Sequence, residues 1–125
     1  MKQRLLRLIM VTAGAVAILT YFLWHKEPLP SREEVNETLN ALAVAIHQGQ
    51  PLTEAIKHAI NQATNSRLKR AWENVLNLVS QGRSLSRSMS VHKDVFPEDL
   101  IDVVLQGELK GNVDLALMQY ASKYK

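Results

Sequence analysis

Apolar and polar residues follow one another along most of this chain with the spacing of amphipathic helices. From Ser31 onward, six segments carry apolar residues three to four positions apart, and Gly, Pro, Asn or Ser separates one segment from the next. That spacing places the apolar side chains on one face of a helix. No segment shows the two-residue alternation of a strand. The pattern predicts an all-α fold, with a compact antiparallel six-helix bundle over residues 31–125.

Local signals mark where these helices begin and end. Ser31-Arg32-Glu33-Glu34 has the pattern of a capping box, in which the hydroxyl and the Glu34 carboxylate each accept a backbone N–H. Gly49 is expected as a left-handed C-cap of the first helix, and Gly82 ends the third. Asn65, Ser84 and Asn112 are expected to cap the third, fourth and sixth helices.

The segment 94–112 is the most distinctive of the chain. Pro97 is expected at the first helical position, and a strongly apolar run, residues 100–105, predicts a helix buried at the centre. Gly107 and Gly111 are expected where the chain turns sharply or approaches another backbone. Glu108 between them has three open interpretations: an acceptor of backbone N–H groups at a helix corner, a partner contact, or a solvated residue.

An uncharged run precedes the helical domain. Residues 8–24 carry no formal charge and follow Lys2, Arg4 and Arg7, with aromatic residues near the far end. This pattern predicts an N-terminal transmembrane helix within an anchor of residues 1–25. A cleaved signal peptide is the competing interpretation. The small-residue triplets lie in the middle of the run, which favours the anchor. Residues 26–30, with Pro28 and Pro30, are expected to form a linker.

Composition excludes several classes of protein. The chain has 125 residues and no Cys, which excludes disulfides and zinc–thiolate sites. Its net charge of +3 comes from the three basic residues before the apolar run, so the remainder is neutral, and no nucleic acid is expected as a partner. Basic residues nevertheless gather between positions 57 and 93, where they are either solvated or an interaction surface. The alternative function is therefore a membrane-tethered helical module that binds anionic lipid or nucleic acid through this segment. The candidate interaction residues are Lys57, Arg67, Lys69, Arg70, Arg83 and Arg87.

Residue sets that carry chemistry are absent from the pattern. Gly107 and Gly111 lack the Lys-Ser/Thr of a phosphate-binding loop, and the four histidines are scattered. Ser84, Ser86, Ser88 and Ser90 are expected at capping or exposed positions. We therefore predict a protein that is not an enzyme, with no catalytic, metal-binding or cofactor-binding residues and no cofactor.

Two segments resemble a known family. The first runs from Leu39 to Ile56 through Gly49-Gln50-Pro51-Leu52, and the second runs from Gly82 through Phe96-Pro97 to Gly107-Glu108-Leu109-Lys110-Gly111. Together they are similar to the type II secretion system F domain, over about residues 29–124. The motif residues that carry the resemblance are Gly49, Pro51, Gly82, Phe96, Pro97, Gly107, Glu108 and Gly111. Lys110 and Val113 depart from the usual Ser and Leu.

The resemblance implies a non-enzymatic platform subunit of the bacterial inner membrane, in type II secretion or type IV pilus assembly. The implied partners are the assembly ATPase, other inner-membrane subunits, pilin-like subunits and further copies of the chain. Family members usually carry two such domains and three membrane helices, so the chain is expected to be a single-pass minimal relative or a fragment. The resemblance implies a cytoplasmic domain, whereas the basic residues before the apolar run weakly favour the opposite side.

Overall fold

Six helices joined by short turns account for most of the structure. The computed structural model describes residues 14–21 and 27–123, and within these ranges it contains helices and no strand. The predicted all-α class is confirmed. The six helices are α1 (Arg32–His47), α2 (Leu52–Gln62), α3 (Ser66–Ser80), α4 (Leu85–Ser90), α5 (Glu98–Lys110) and α6 (Val113–Lys123).

Short-range hydrogen bonds fix the helix starts where the sequence predicted them. Glu34 N donates to Ser31 Oγ and Ser31 N donates to Glu34 Oε2, both at 3.2 Å, which completes the capping box. Asn65 and Ser84 accept the backbone N–H groups of Leu68 and Arg87 in the same way. These side chains satisfy donors that a helix start leaves unpaired.

The helices pack in chain order and close on themselves. Each helix contacts the next, from α1 to α6, and α6 contacts α1. The predicted antiparallel arrangement of all six helices is not tested by these pairings and stays a prediction.

A shared apolar core fills the space between the six helices. Trp72 on α3 and Phe96 before α5 are fully buried, with their ring centroids 4.8 Å apart in an edge-to-face arrangement. The Trp72 indole N–H donates to Thr38 Oγ1 on α1 at 2.9 Å. A buried indole N–H needs such an acceptor, so this bond links α3 to α1 across the core.

The structure corrects the prediction for α5. The helix runs without interruption through Gly107 and Glu108 to Lys110, so these two residues lie within a helix and not in a turn. Pro97 immediately precedes the first helical residue. Only Leu100, Val104 and Gly107 of α5 are buried, while Leu105 and Leu109 are 41% and 74% exposed. The expectation of a centrally buried helix is therefore wrong, since α5 is amphipathic and covers the core with one face.

The predicted membrane helix lies partly outside the described residues. Within it, residues 14–21 are helical, and the apolar side chains Val16, Ile18 and Leu19 are each at least 60% exposed. Among the residues that the structure describes, none of the helices combines the length and the hydropathy needed to cross a membrane. The transmembrane helix stays a prediction.

Candidate functional site

Glu108 joins α5 to the start of α4 through two short hydrogen bonds. Its Oε1 accepts the backbone N–H of Ser86 at 2.7 Å, and its Oε2 accepts the Ser86 hydroxyl at 2.8 Å. Ser86 lies in the first turn of α4, where backbone N–H groups have no partner within the helix. The carboxylate thus supplies a charge-assisted acceptor to a six-residue helix. We call this pair of bonds the Glu108–Ser86 clamp.

The serines around the clamp are more buried than the sequence suggested. Ser84 caps α4 as predicted, but Ser86 is 5% exposed and Ser88 is fully buried. Ser88 Oγ donates to the Ser84 carbonyl at 2.7 Å. The expectation that these serines occupy only capping or exposed positions is wrong for Ser86 and Ser88, because each hydroxyl finds an acceptor inside the domain.

Gly107 lies where α5 comes close to the first turn of α6. A Cβ added to Gly107 would stand 2.9 Å from Cα of Val113 and 3.1 Å from Cβ of Ala116. The α5–α6 turn therefore requires a residue without a side chain at this position. Gly111 closes the turn at φ +72°, and Asn112 N donates to the Gly107 carbonyl at 2.9 Å. Gly107 was expected either at a sharp turn or at a close approach to another backbone, and the structure shows the close approach.

The other motif residues occupy turns and the core. Gly49 and Gly82 have φ values of +85° and +94°, which side chains disfavour, and they follow α1 and α3. Pro51 precedes α2, and its carbonyl accepts the N–H of Ala55 at 2.9 Å. Phe96 fills the core against Trp72, and Pro97 immediately precedes α5. The structure therefore places these positions at turns, helix starts or packing contacts.

Half of the candidate interaction residues are held by carboxylates. Lys57 pairs with Glu54 at 2.9 Å on its own helix, and Arg67 pairs with Asp94 at 2.6 Å. Arg70 pairs with Glu27 in the linker. The basic segment is thus less available to an anionic partner than its sequence suggested. Lys69, Arg83 and Arg87 are exposed and have no ion pair among the described residues.

Arg83 and Arg87 lie together at the turn between α3 and α4. With Gly82 and Ser84 they line an open surface depression of about 600 Å³. Arg87 is on α4, the helix that the Glu108–Ser86 clamp positions. The structure therefore brings Gly82, Arg83, Arg87 and Glu108 into one region, whereas Lys57, Arg67 and Arg70 belong to other surfaces.

A partly apolar groove lies between α5 and α6. It measures about 500 Å³, and its lining includes Val103, Gly107, Leu115 and Ala116 together with Asp99 and Asp102. Among the described residues, no three His, Asp or Glu side chains are grouped so that they could hold a metal ion.

Two histidines make contacts that the sequence did not reveal. His47 Nδ1 donates to Asp114 Oδ2 at 2.9 Å, which joins the end of α1 to the start of α6. This hydrogen bond, with a smaller contribution from the Leu115 backbone N–H, lowers the pKa of Asp114 below its ordinary value of 3.8. His92 contacts Asn74 at 2.7 Å. Both histidines thus serve helix packing.

The linker is also attached to the domain, which no local sequence pattern predicts. Besides the Arg70–Glu27 ion pair, Asn65 Nδ2 donates to the Pro28 carbonyl at 3.0 Å. Leu29 and Pro30 line a cleft of about 150 Å³ with Val35, Val95 and Tyr120. These contacts join residues far apart in the chain, and no local pattern signals them.

Comparison with known proteins identifies the family. A search of curated proteins finds no match to the chain. The family described as "Type II secretion system (T2SS), protein F" matches residues 38–125, which is well over half of the chain. This range includes every motif residue named above. The predicted family resemblance is confirmed, and the chain belongs to the type II secretion system protein F family.

Proposed function

We propose that this chain is a non-enzymatic platform subunit of an inner-membrane machine for type II secretion or type IV pilus assembly. Membership of the protein F family implies a membrane platform protein of secretion or pilus systems, and this match is the observation that carries the proposal. Residues 1–25 would anchor the chain by a single span, residues 26–30 would form the linker, and residues 31–125 would form the cytoplasmic helical domain.

The geometry of the motif residues supports a scaffold. The glycines shape turns, Phe96 fills the core, and Glu108 holds α4 by hydrogen bonds to Ser86. Glu108 accepts both hydrogen bonds from Ser86, a single buried serine at a helix start, which fixes α4 against α5. These residues therefore serve to hold a rigid surface in place.

The surface that we assign to partner contact is the depression around Arg83 and Arg87. Both guanidinium groups lack an ion-pair partner among the described residues, and they lie on a turn and a short helix that the Glu108–Ser86 clamp fixes. Guanidinium groups suit carboxylate-rich protein surfaces because they donate paired hydrogen bonds. An acidic segment of the assembly ATPase or of another platform subunit is the proposed ligand.

Co-purification from membranes tests this function. The tagged full chain is expected to bring down an assembly ATPase, and the double substitution Arg83→Gln with Arg87→Gln is expected to abolish that recovery. Lys57→Gln is the matched control, since its ammonium pairs with Glu54 on the same helix. If the chain is recovered without other subunits, and if deleting its gene leaves secretion and piliation unchanged, the proposal is wrong.

A further inference from the structure

The contacts between the linker and α3 have a consequence for how the domain sits on a membrane. We propose that the face at the start of α3 is the face turned toward the bilayer, and that its ligand is the layer of lipid headgroups. This inference rests on the proposed function, because it takes residues 1–25 to be a membrane anchor.

Two contacts hold the linker on this face. The Glu27 carboxylate pairs with the Arg70 guanidinium, and the Pro28 carbonyl accepts Asn65 Nδ2–H at 3.0 Å. We call these contacts the linker latch. Asn65 simultaneously caps α3 through Oδ1, which accepts the Leu68 N–H at 3.0 Å. The latch therefore ties the linker to a rigid helix start.

Chain length limits how far this face can lie from the anchor. Tyr21, the last described residue before the linker, is six residues before Glu27. Six residues of any conformation span at most about 21 Å. Tyr21 belongs to the aromatic group expected at the membrane interface. Glu27 must then lie within about 21 Å of that interface, and its ion pair with Arg70 keeps the start of α3 close to it.

The latch also restricts the orientation of the domain. A free linker would let any face of the domain turn toward the bilayer, whereas two contacts on α3 select one. The first turn of α3 also carries Lys69, an exposed cation without an ion pair among the described residues, which suits anionic headgroups. Arg83 and Arg87 follow the far end of α3, about 22 Å away along its axis. They would remain accessible to a soluble partner.

Spin labels at the two ends of α3 test this orientation. The chain has no Cys, so Ser66→Cys and Ser80→Cys each provide a unique label at an exposed position. The full chain is placed in nanodiscs of phosphatidylcholine and phosphatidylglycerol that contain a lipid with a nickel-chelating headgroup. Nickel at the headgroups is expected to relax the label at position 66 more strongly than the label at position 80.

Two variants separate the latch from the fold. Asn65→Asp keeps the acceptor that caps α3 but removes the donor to Pro28, and Arg70→Gln removes the pair with Glu27. Together they are expected to reduce the difference between the two labels while the helical content is retained. Lys57→Gln, which removes a cation of α2 outside both the latch and the Arg83–Arg87 depression, is expected to leave the difference unchanged.

The outcomes distinguish this inference from the function on which it rests. If the chain enters the nanodiscs but the two labels relax equally, or position 80 relaxes more, the orientation is wrong and the platform function stands. If the latch variants leave the difference intact, the latch does not set the orientation. If the chain fails to enter bilayers, the anchor is wrong, and the platform function and the orientation fall together.

Discussion

The Glu108–Ser86 clamp predicts a graded loss of stability on substitution of Glu108. Glu108→Ala removes the acceptors of two hydrogen bonds, 2.7 and 2.8 Å long, from a serine that is only 5% exposed. Glu108→Gln keeps one oxygen for the Ser86 N–H and offers its amide to the hydroxyl, so it should lose only the charge. We therefore expect Glu108→Ala to be clearly more destabilising than Glu108→Gln.

The magnitude follows from the two bonds. Hydrogen bonds to a charged group contribute about 1.5–3 kcal/mol each, and the lower value applies because Glu108 is half-buried. Two such bonds give about 3 kcal/mol. The higher helix propensity of alanine offsets about 0.4 kcal/mol of this loss. Glu108→Ala should therefore lower the free energy of unfolding by about 2.5 kcal/mol. For Glu108→Gln, the loss of charge alone should cost about 1 kcal/mol.

Urea unfolding of the full chain in detergent, followed by far-ultraviolet circular dichroism, measures this difference. With a slope of about 1.5 kcal/mol per molar urea, Glu108→Ala should lower the midpoint by between about 1 and 2 M. Asp102→Ala is the control, since it removes an exposed carboxylate from the same helix. Equal midpoints for Glu108→Ala and Asp102→Ala would refute the clamp.

Three further predictions concern other contacts in the domain. Gly107→Val should lower the free energy of unfolding by about 3 kcal/mol or more, because its Cβ would meet backbone at 2.9 Å; an unchanged thermal midpoint would contradict the close approach. Thr38→Val should cost about 1–3 kcal/mol, since it leaves the Trp72 indole N–H buried without an acceptor; urea titration followed by tryptophan fluorescence measures this loss. The lowered pKa of Asp114 implies stabilisation that is complete above pH 3.8 and is lost as the pH falls through the folded-state pKa. In Asp114→Asn, the unfolding midpoint should therefore decrease less as the pH is lowered. The same decrease in both proteins would show that the contact between Asp114 and His47 contributes nothing to stability.

The helix starts were predictable because their determinants are local. The capping box at Ser31 lies within four residues, and the caps at Asn65 and Ser84 each satisfy an N–H three residues ahead. Gly49 and Gly82 likewise signal positive φ from their own position after an apolar segment. Sequence reasoning succeeds where a residue and its partner share one turn.

The interior of α5 was mispredicted because its determinants are distant. Gly107 resembles a turn residue when read with Gly111, but the requirement for glycine comes from Val113 and Ala116 on the next helix. The apolar run before it suggested all-round burial, yet neighbouring helices cover only one face. Which face is covered depends on how the helices pack, and the spacing of apolar residues within one segment does not predict that packing.

The candidate site was only partly predictable for the same reason. The sequence indicated Glu108 but left its partner open, and it offered no sign that Ser86 would be that partner. The latch contacts of Arg70 and Asn65 join α3 to a linker some 40 residues away in the chain. A sequence does not show whether an arginine is solvated or ion-paired. Only the structure shows that Arg70 pairs with Glu27, whereas Arg87 has no ion pair among the described residues.

The contact between the first and last helices bears on how the protein is made. Leu117 and Tyr120 of α6 belong to the core, and α6 packs on both α1 and α5. Of the six helices, α6 leaves the ribosome last, so the part of α1 that packs on α6 stays uncovered until almost the whole domain has been synthesised. The core then closes in a late step, and until then the nascent chain exposes a surface on which chaperones could act.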